Sequence, residues 1–336
     1  MRIAYIVESG GIFGGVRILA EHLNRLTDRG HYAVLIFSQE GGEINWLPTR
    51  FPQMWANKMS ADPKTFDVVV GTGLSTWGAA SSAAFGKARR FALVQMLDHL
   101  FHPEATHKAM LPKYKLPLEF ITISDWLTRE VSRLSGQYVG AIHKINNGID
   151  FDLFHRDNTL PRDPDRIRIV TEGHTMNLAK DGDEMVWRAA TAAKAHYGDV
   201  IEFMGFSQFP PRREFDRFWY RPSQKEIREI YSAGDIFLKA SRYEGNPGPH
   251  FEAMACGSAA VCTAINEGDD DLHHEVNCLK VKYGDQAGLE ANLFRLIDGE
   301  NLRKALAANA LTWVQQHKRW EDVIDHLEVI YRGGHE

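Results

Sequence analysis

The sequence predicts an α/β protein with two doubly wound, Rossmann-like parallel-sheet domains that face each other across a central cleft. Two series of apolar strand segments alternate with helical segments, one on each side of residue 160. Such alternation is typical of parallel sheets covered by helices on both faces. The segment between the two series, RDNTLPRDPD at 156–165, is polar and contains prolines, as expected for a linker between domains.

The first series opens with a strand, a glycine-rich loop and a helix. The apolar segment RIAYIVE (2–8) predicts the strand, and SGGIFGG (9–15) predicts the loop. Apolar residues then recur at helical spacing from Val16 to Leu26, and Gly30 is placed to end the helix. Further strands are predicted over 32–38, 66–73, 90–96 and 118–124, with a strand and an Asn-Gly turn within 143–154.

The second series repeats this organisation from residue 166. Ser223 and Glu226 have the spacing of a capping box at the start of one of its helices. Because ligands bind beyond the carboxyl ends of parallel strands, the loops 9–15 and 244–252 are predicted to lie on facing edges of the cleft. Strands are predicted over 166–174, 200–205, 235–241 and 259–265, and helices over 182–197, 223–234 and 250–257.

Composition narrows the class of protein. The net charge of -5 is spread as about +2 over residues 1–160 and about -7 over 161–336, which does not fit a nucleic-acid-binding protein. No apolar run is long enough to span a membrane. The cysteines lack zinc-like pairing and predict reduced thiols in a cytoplasmic protein. The basic residues between Lys87 and Lys115 fit either a solvated face or a weak peripheral contact with the inner face of a membrane.

The glycine-rich loop allows two interpretations. Gly10, Gly11, Gly14 and Gly15 lie between a predicted strand and a predicted helix, where the backbone can approach a phosphate closely. Their spacing is not that of the dinucleotide fingerprint G-x-G-x-x-G. A tight structural turn and an anion site therefore both remain open.

The segment EGNPGPHFEAMACG (244–257) is the most informative in the chain. Pro249 suits the first helical position, which predicts Gly248 as the N-cap and backbone amides at 248–251 that attract phosphate. Glu252 then lies in the first turn, where its carboxylate is placed to accept hydrogen bonds from a ribose diol. A helix-end carboxylate at Glu252 and a solvated loop acid at Glu244 are the alternatives.

A third segment, TEGHTMNLAKDG (171–182), follows the first strand of the second series. His174 and Lys180 lie there at the predicted carboxyl edge of the sheet. Lys180 is a candidate to hold a diphosphate as a point charge. An exposed lysine at a turn, which Asp181 and Gly182 favour, is the alternative.

These segments together resemble the retaining glycosyltransferases of family 4, which have the GT-B fold. EGNPGPHFEAMACG is similar to their E-x7-E signature, whose usual form is close to E-G-F-x-x-P-x-x-E-A-M-A-C-G. Five further segments match in the expected order: GGIFGGVRILAEHLNRLTDRGH, FITISDWL, INNGIDFDLF, IREIYSAGDIFLKASRYEG and WVQQHKRWEDVIDHLEVIY. The last of these five resembles the closing helix, which in this fold returns to the first domain.

The resemblance implies transfer of a hexose-type sugar from a nucleoside-diphosphate sugar, such as a UDP sugar, to an acceptor hydroxyl with retention. It places this reaction in polysaccharide or glycoconjugate biosynthesis, with a glycan, lipid-linked or small-molecule acceptor. It implies no cofactor beyond the nucleotide-sugar co-substrate, and no metal. The implied domains are an acceptor-side domain at 1–160, a nucleotide-sugar-binding domain at 161–312 and a closing helix at 313–336.

The resemblance also assigns roles to individual residues. Glu252 binds the donor ribose hydroxyls, and Glu244 lies beside the transferred sugar as a catalytic residue. Lys180 neutralises the leaving diphosphate, whereas His174 stands where the family usually has an arginine. Donor binding is further assigned to Gly14, Gly15, Tyr220, Arg221, Asn246, Pro247, Gly248 and Pro249.

One catalytic position and two other function classes stay open. The family's histidine in the first domain has two candidate matches here, Asp98 and His99. Another GT-B enzyme, such as a nucleotide-sugar epimerase or a phosphorylase, is disfavoured by the E-x7-E signature. A non-catalytic sugar-nucleotide-binding protein is suggested by His174 and disfavoured by the intact Glu244, Lys180 and Glu252.

Overall fold

The protein consists of two compact units, each built around its own parallel sheet. The computed structural model describes residues 1–39, 42–59, 62–136, 140–157, 159–161, 163–173, 182–266 and 271–334. Met1–Asn147 and Glu321–Glu336 form the first unit, and Gly148–Trp320 forms the second. The predicted α/β class is confirmed by these two sheets, whose strands alternate with helices along the chain.

The first unit contains a seven-stranded parallel sheet with the strand order β3-β2-β1-β4-β5-β6-β7. The strands are β1 (Arg2–Val7), β2 (Tyr32–Phe37), β3 (Gln53–Trp55), β4 (Val68–Gly71), β5 (Arg89–Val94), β6 (Glu119–Thr122) and β7 (Ile142–Lys144). The helices are α1 (Gly14–Asp28), α2 (Leu74–Ala80), α3 (Glu104–Met110), α4 (Asp125–Ser135) and α10 (Trp320–Tyr331), the last of which returns from the end of the chain.

The second unit contains a six-stranded parallel sheet with the strand order β10-β9-β8-β11-β12-β13. The strands are β8 (Ile167–Glu172), β9 (Ile201–Ser207), β10 (Arg217–Tyr220), β11 (Ile236–Lys239), β12 (Ala259–Thr263) and β13 (Leu279–Val281). The helices are α5 (Asp183–Tyr197), α6 (Gln224–Ala233), α7 (Gly248–Ala255), α8 (Gln286–Asp298) and α9 (Glu300–His317).

The central strands are apolar along their length because both faces of each sheet are covered. In β11, Ile236 and Leu238 pack into one apolar cluster, whereas Phe237 between them packs into a second cluster. This alternation follows from the strand geometry, in which successive side chains point to opposite faces. The continuous apolar letters of these segments therefore mark strands buried on both sides.

The strand order reverses between β8 and β11 in the second sheet. The chain runs outward from β8 to β9 and β10, then returns to place β11 on the other side of β8. In doubly wound sheets, this switch point opens a crevice at the carboxyl ends of the two strands, where ligands bind. Glu172 and Lys239 are the last residues of these two strands.

The stretch 313–331, predicted as one closing helix, forms parts of two helices. α9 ends at His317 and α10 begins at Trp320, while Lys318 between them has φ -126° and ψ 45°. The Lys318 side chain is buried, with its ammonium 4.5 Å from the centroid of the Phe251 ring and 2.7 Å from the Asp271 carboxylate. The break between the two helices at Lys318 therefore lies within the second unit, which extends to Trp320.

The helix α10 packs against the sheet of the first unit through polar as well as apolar contacts. The hydroxyls of Tyr331 and Tyr5 are 2.6 Å apart in the buried core. The Glu328 carboxylate lies 2.7 Å from Nε2 of His31. No helix in the described part of the chain is long and apolar enough to cross a membrane.

The three cysteines Cys256, Cys262 and Cys278 are free thiols buried in the second unit. Burial raises the pKa of the Cys256 thiol to about 12. A thiol with so high a pKa is a poor nucleophile near neutral pH. These cysteines act as small core residues, as the apolar context of Cys256 and Cys262 predicts.

Candidate functional site

The candidate site lies at the carboxyl edge of the second sheet, where β11 leads into the loop 240–247 and then into α7. Glu244 lies in this loop. Glu252 is the fifth residue of α7, because the helix begins at Gly248, so it lies beyond the first turn in which the sequence predicted it. Both side chains are buried, with only 3% and 4% of their surface exposed. Since buried carboxylates are costly unless they have hydrogen-bond or charge partners, the partners of each one are decisive.

The start of α7 differs by one residue from the prediction. Pro247 is the N-cap, so Gly248 and Pro249 are the first two helical residues. Pro247 has φ -77° and ψ 61°, and the amide of Gly248 donates to the carbonyl of Asn246 at 2.8 Å. This is an inverse γ-turn. The prolines restrict φ on both sides of Gly248, which lets the helix begin directly after this turn.

The amides predicted to attract phosphate already have acceptors within the turn. The amides of His250 and Phe251 both donate to the carbonyl of Pro247, at 3.0 and 3.4 Å, and Pro249 has no amide hydrogen. The amide of Gly248 is used in the γ-turn. A phosphate that binds at this helix start must therefore replace the carbonyl acceptors of these amides, because each amide already donates a hydrogen bond.

Glu252 lies beside the glycine at the start of the helix. An added Cβ on Gly248 would lie 4.0 Å from Oε1 of Glu252, and no other atom beyond its own helix backbone and chain neighbours is as close among the described residues. The absence of a side chain at Gly248 thus leaves space next to this carboxylate. Its oxygens are acceptors only, which suits a vicinal diol that donates two hydrogen bonds.

Glu244 is held by Ser241 of its own loop and by Asn266, which follows the neighbouring strand β12. The hydroxyl of Ser241 donates to Oε1 of Glu244 at 3.1 Å. The side-chain amide of Asn266 then pairs with the Glu244 backbone, because its Oδ1 accepts from the Glu244 amide at 3.2 Å and its Nδ2 donates to the Glu244 carbonyl at 2.5 Å. The backbone of Glu244 is therefore clamped as in a strand pair.

The same neighbouring segment also fixes Ser241. Oγ1 of Thr263 accepts from the Ser241 amide and donates to the Ser241 carbonyl, both at 2.9 Å. Asn266, three residues further on, has φ 51°, in the left-handed region that asparagine adopts more readily than most residues. The prediction from sequence omitted Thr263 and Asn266, because their pairing joins positions 22 residues apart in the chain.

The prediction from sequence also omitted Lys239. Its side chain is buried at the end of β11 and forms an ion pair with Glu172 at the end of β8. Burial lowers the pKa of Lys239, but the carboxylates of Glu172, Glu244 and Asp183 together raise it above its usual range. The ion pair with Glu172 is therefore the contact that holds Lys239 as a cation. A lysine inside the apolar segment DIFLKAS is the only signal that the sequence offers for it.

His250 points away from this edge. It is fully buried, and its ring packs edge-on against Phe237 in the core at a centroid distance of 5.3 Å. Its place in the E-x7-E segment therefore reflects packing of α7 against β11.

Tyr220 and Arg221 lie at the carboxyl end of the edge strand β10. The Tyr220 ring is half-exposed, and the Arg221 guanidinium lies 5.1 Å from its centroid. Arg221 has φ 52°, and its amide donates to the Ser207 carbonyl at 2.8 Å. The exposed ring is thus a flat apolar surface at the same edge of the sheet as Glu172, since all strands are parallel.

His174 and Lys180 lie outside the described residues, which resume at Gly182. Gly182 is the N-cap of α5. A Cβ on Gly182 would overlap with the carbonyl of Ala240, the residue that follows β11. Glycine is therefore required for the close approach of this segment to the loop that carries Glu244.

In the first unit, the glycines of the loop after β1 have different surroundings. A Cβ on Gly10 would overlap with the carbonyl of Gly42, whereas nothing lies within 4 Å of a Cβ on Gly14. A Cβ on Gly15 would lie 3.3 Å from Oε1 of Gln95, whose Nε2 donates to the Gly15 carbonyl at 3.3 Å. Gly10 is thus needed for chain packing, while the start of α1 at Gly14 is open.

Asp98 and His99 belong to a short 3₁₀ turn in the first unit. Oδ2 of Asp98 accepts from the Leu74 amide at 3.1 Å, at the start of α2. Burial raises the pKa of Asp98, and this amide only partly offsets the effect. His99 is buried edge-on against Tyr114, and burial followed by the charge of His107 lowers its pKa. His99 is therefore neutral near pH 7, and the catalytic role of either residue stays a prediction.

No group of three or more His, Cys, Asp and Glu side chains is arranged to hold a metal ion among the residues that the structure describes. The expectation that the reaction needs no metal remains a prediction.

One family comparison covers the candidate site. Residues 138–299, slightly less than half of the chain, match the model of the family described as "Glycosyl transferases group 1". N-acetyl-alpha-D-glucosaminyl L-malate synthase of Bacillus anthracis is 25% identical over 135 residues, which cover 40% of this chain and 35% of that protein. The match thus spans about a third of the length of this curated relative.

Solved structures match nearly the whole chain. Sucrose-phosphate synthase from Thermosynechococcus elongatus has a TM-score of 0.77 at 16% identity, covering 99% of this chain and 98% of that one. HepE of Anabaena in complex with UDP and glucose has a TM-score of 0.77 at 14% identity, covering 99% and 100%. The two parallel sheets and these neighbours define the class of the protein, which has the GT-B fold.

Proposed function

We propose that the protein is a glycosyltransferase that moves a hexose-type sugar from a nucleoside-diphosphate sugar to an acceptor hydroxyl with retention. The observation that carries the proposal is the pair of buried carboxylates, Glu244 and Glu252, at the carboxyl edge of the second sheet. Two buried acids at this edge indicate a polar ligand site, because acids are rarely buried for packing alone. The family match over 138–299 supports the same class of reaction.

The two carboxylates divide the donor between them. Glu252, beside Gly248, is the proposed acceptor for the two ribose hydroxyls of the nucleotide. Glu244, held by Ser241 and Asn266, is the proposed partner of the transferred sugar. The half-exposed Tyr220 and the neighbouring Arg221 are proposed to hold the base.

The proposed reaction places its largest charge change on the diphosphate. As the bond between the anomeric carbon and the phosphate oxygen breaks, the acceptor oxygen bonds to that carbon on the same face. The acceptor proton passes to the leaving phosphate, so atoms and charge balance. Lys180, with His174, is the proposed source of positive charge for the leaving group, and such preorganised charge is commonly the largest catalytic contribution.

The direct test is turnover of nucleotide sugars, with UDP-glucose first because UDP and glucose are bound in the HepE complex. Release of UDP is measured with glycan, lipid-linked and small-molecule acceptors, with and without EDTA. NMR of the product gives the anomeric configuration. A retained configuration and a rate unaffected by EDTA are expected, whereas an inverted product contradicts retention.

Two further outcomes separate the other function classes. Epimerised nucleotide sugar in the absence of acceptor indicates an epimerase. Binding of UDP-glucose with no turnover across the acceptor panel indicates a sugar-nucleotide-binding protein. Either result contradicts the proposed transfer.

A further inference from the structure

Lys318 places a fully buried positive charge at the end of α9. Its ammonium lies 2.7 Å from Oδ2 of Asp271, 4.5 Å from the centroid of the Phe251 ring and 5.5 Å from that of the Trp313 ring. The two rings stack on each other, with their centroids 5.7 Å apart. The ammonium is therefore paired with a carboxylate and placed over two aromatic faces, which attract a cation.

The backbone around this charge is held in place as well. The amide of Lys318 donates to the Val314 carbonyl at 2.9 Å, and the Lys318 carbonyl accepts from the Ile149 amide at 2.8 Å. On the acid side, the carbonyl of Asp271 accepts from the side-chain amide of Asn277 at 3.1 Å. These contacts fix the position of the ammonium through groups that do not belong to α7.

Phe251 carries the contact from this charge to α7, the helix that contains Glu252. It is the residue before Glu252, and its fully buried ring belongs to the same apolar cluster as Val314 of α9. Apolar packing is non-directional, whereas a cation over an aromatic face favours one placement of the ring. Since an apolar side chain of similar volume commonly supports a fold as well as a buried ion pair does, the charge of Lys318 points to a role beyond filling space.

We propose that Lys318 is a positioning residue that, anchored by Asp271, fixes the Phe251 ring and thereby the placement of α7 and Glu252. The proposal rests on the proposed function for its effect on nucleotide binding, but not for its effect on the helix. Glu252 is the proposed partner of the ribose hydroxyls. A displaced α7 is therefore expected to weaken binding of the nucleotide rather than the transfer step.

The main test is Lys318→Met, which keeps most of the side-chain volume and removes the charge. The dissociation constant of UDP, measured by calorimetry, is expected to rise about fivefold or more when the cation is lost from the Phe251 ring. KM for UDP-glucose should rise with it, while kcat at saturating donor changes less than about twofold. An unchanged UDP affinity overturns the inference, and so does a loss that appears only in kcat.

A double variant separates the placement of α7 from stability. Lys318→Met also deprives the Asp271 carboxylate of its ammonium, which lowers the free energy of unfolding. Adding Asp271→Asn removes that acid charge, so the double variant should regain part of the lost stability in urea unfolding. Its UDP affinity should stay as weak as in Lys318→Met, because no cation lies over Phe251. Recovery of UDP affinity along with stability would show that Lys318 serves the fold alone, and the inference would be wrong.

Lys304→Met is the matched control, because it removes a lysine from the same helix. Lys304 pairs with Glu300 one turn earlier, and both side chains are exposed. UDP affinity in this variant should equal that of the wild type. A fivefold loss in the control would mean that any charge removed from α9 has this effect, which contradicts a specific role of Lys318.

Amide hydrogen exchange provides a test that needs no ligand. In Lys318→Met, the amides of α7 are expected to exchange about tenfold faster or more, whereas those of α5 in the same unit keep their wild-type rates. Unchanged exchange in α7, or equal acceleration in both helices, overturns the inference. If the wild type binds no UDP and turns over no nucleotide sugar, the proposed function fails, while the exchange rates still decide the role of Lys318.

Discussion

Two buried ion pairs lie at opposite ends of the strand β8 and differ in their surroundings. Arg168 and Glu202, near the amino end, are 2.7 Å apart, with side chains 4% and 7% exposed. Lys239 and Glu172, at the carboxyl end, have side chains 6% and 31% exposed. The first pair is enclosed on both sides, whereas the second opens to the edge of the sheet.

The partners of the two pairs differ in the same way. The Arg168 guanidinium donates to the Pro161 carbonyl at 2.5 Å, and the Arg168 amide donates to the Asp235 carboxylate at 2.9 Å. These further contacts of Arg168 stabilise the fold. Lys239, at the end of β11, instead pairs with Glu172, and the loop that carries Glu244 begins directly after Lys239. Because a parallel sheet binds ligands at its carboxyl edge, position along one strand separates a structural ion pair from one linked to function.

The largest expected effect on stability is at the amino end. Arg168→Met leaves Glu202 buried without its main partner, and breaking such a pair costs about 3–5 kcal/mol of unfolding free energy. Arg217, 3.8 Å from the other oxygen of Glu202, offsets part of this loss. Urea unfolding measures the change, and donor turnover of the folded variant should match the wild type. Reduced turnover in the folded variant would contradict a purely structural role of the Arg168–Glu202 pair.

The largest expected effect on turnover is at the carboxyl end. Glu244→Gln is isosteric and keeps an acceptor for Ser241, but it removes the charge beside the sugar. We expect kcat with UDP-glucose to fall about 100-fold, as for the loss of an interaction made mainly in the transition state. Glu202→Gln is the matched change at the amino end, and equal losses in both variants would contradict a specific role of Glu244.

A smaller effect is expected when the clamp around Glu244 is removed. Asn266→Ala deletes both side-chain hydrogen bonds to the Glu244 backbone and puts alanine at φ 51°. We expect a loss of about 1–3 kcal/mol in stability and a fall in kcat with little change in UDP binding. Calorimetric binding of UDP separates these effects, and weaker UDP binding with normal kcat would show that the clamp supports the nucleotide instead.

The smallest expected effect is the pH dependence of the stability that the ion pair of Lys239 and Glu172 contributes. The pKa of Lys239 is raised in the folded protein, so the pair contributes stability below the unfolded lysine pKa of about 10.4 and loses it as pH rises through the folded value. The stability difference between wild type and Lys239→Met should therefore be constant from about pH 7 to 10 and shrink above that range. A difference that shrinks already below pH 9 would contradict a charged Lys239.

Much of the fold was predictable because local patterns and packing agree. The apolar strand segments at 2–8, 32–38 and 235–241 correspond to β1, β2 and β11, whose side chains are buried on both faces. The capping box at Ser223 and Glu226 is present, with the Ser223 amide donating to Glu226 at 2.7 Å. Such signals depend on neighbours within a few residues, which the sequence displays directly.

The start of α7 and the break at Lys318 show where this agreement ends. Pro249 at the first helical position was a sound local expectation, yet the γ-turn at Pro247 moves the start back by one residue. The segment 313–331 resembles one closing helix, whereas Lys318 within it is buried in the second unit and follows the end of α9 at His317. At the start of α7 a second local feature, the γ-turn, decides the boundary, whereas the break at Lys318 coincides with a tertiary contact to Asp271.

The sequence by itself determined the class of the two sheets and the choice of Glu244 and Glu252 as candidate site residues. The class of the sheets follows from the alternation of strands and helices, whereas the choice of the two acids follows from the resemblance of their segment to the E-x7-E signature. Only the tertiary structure decided which residues meet at the carboxyl edge that carries the loop of Glu244. Lys239, Glu172 and Asn266 come from three separate segments, and the parallel pairing of β8, β11 and β12 brings them to one edge. Their role depends on burial and charge, which exist only once the sheet has formed.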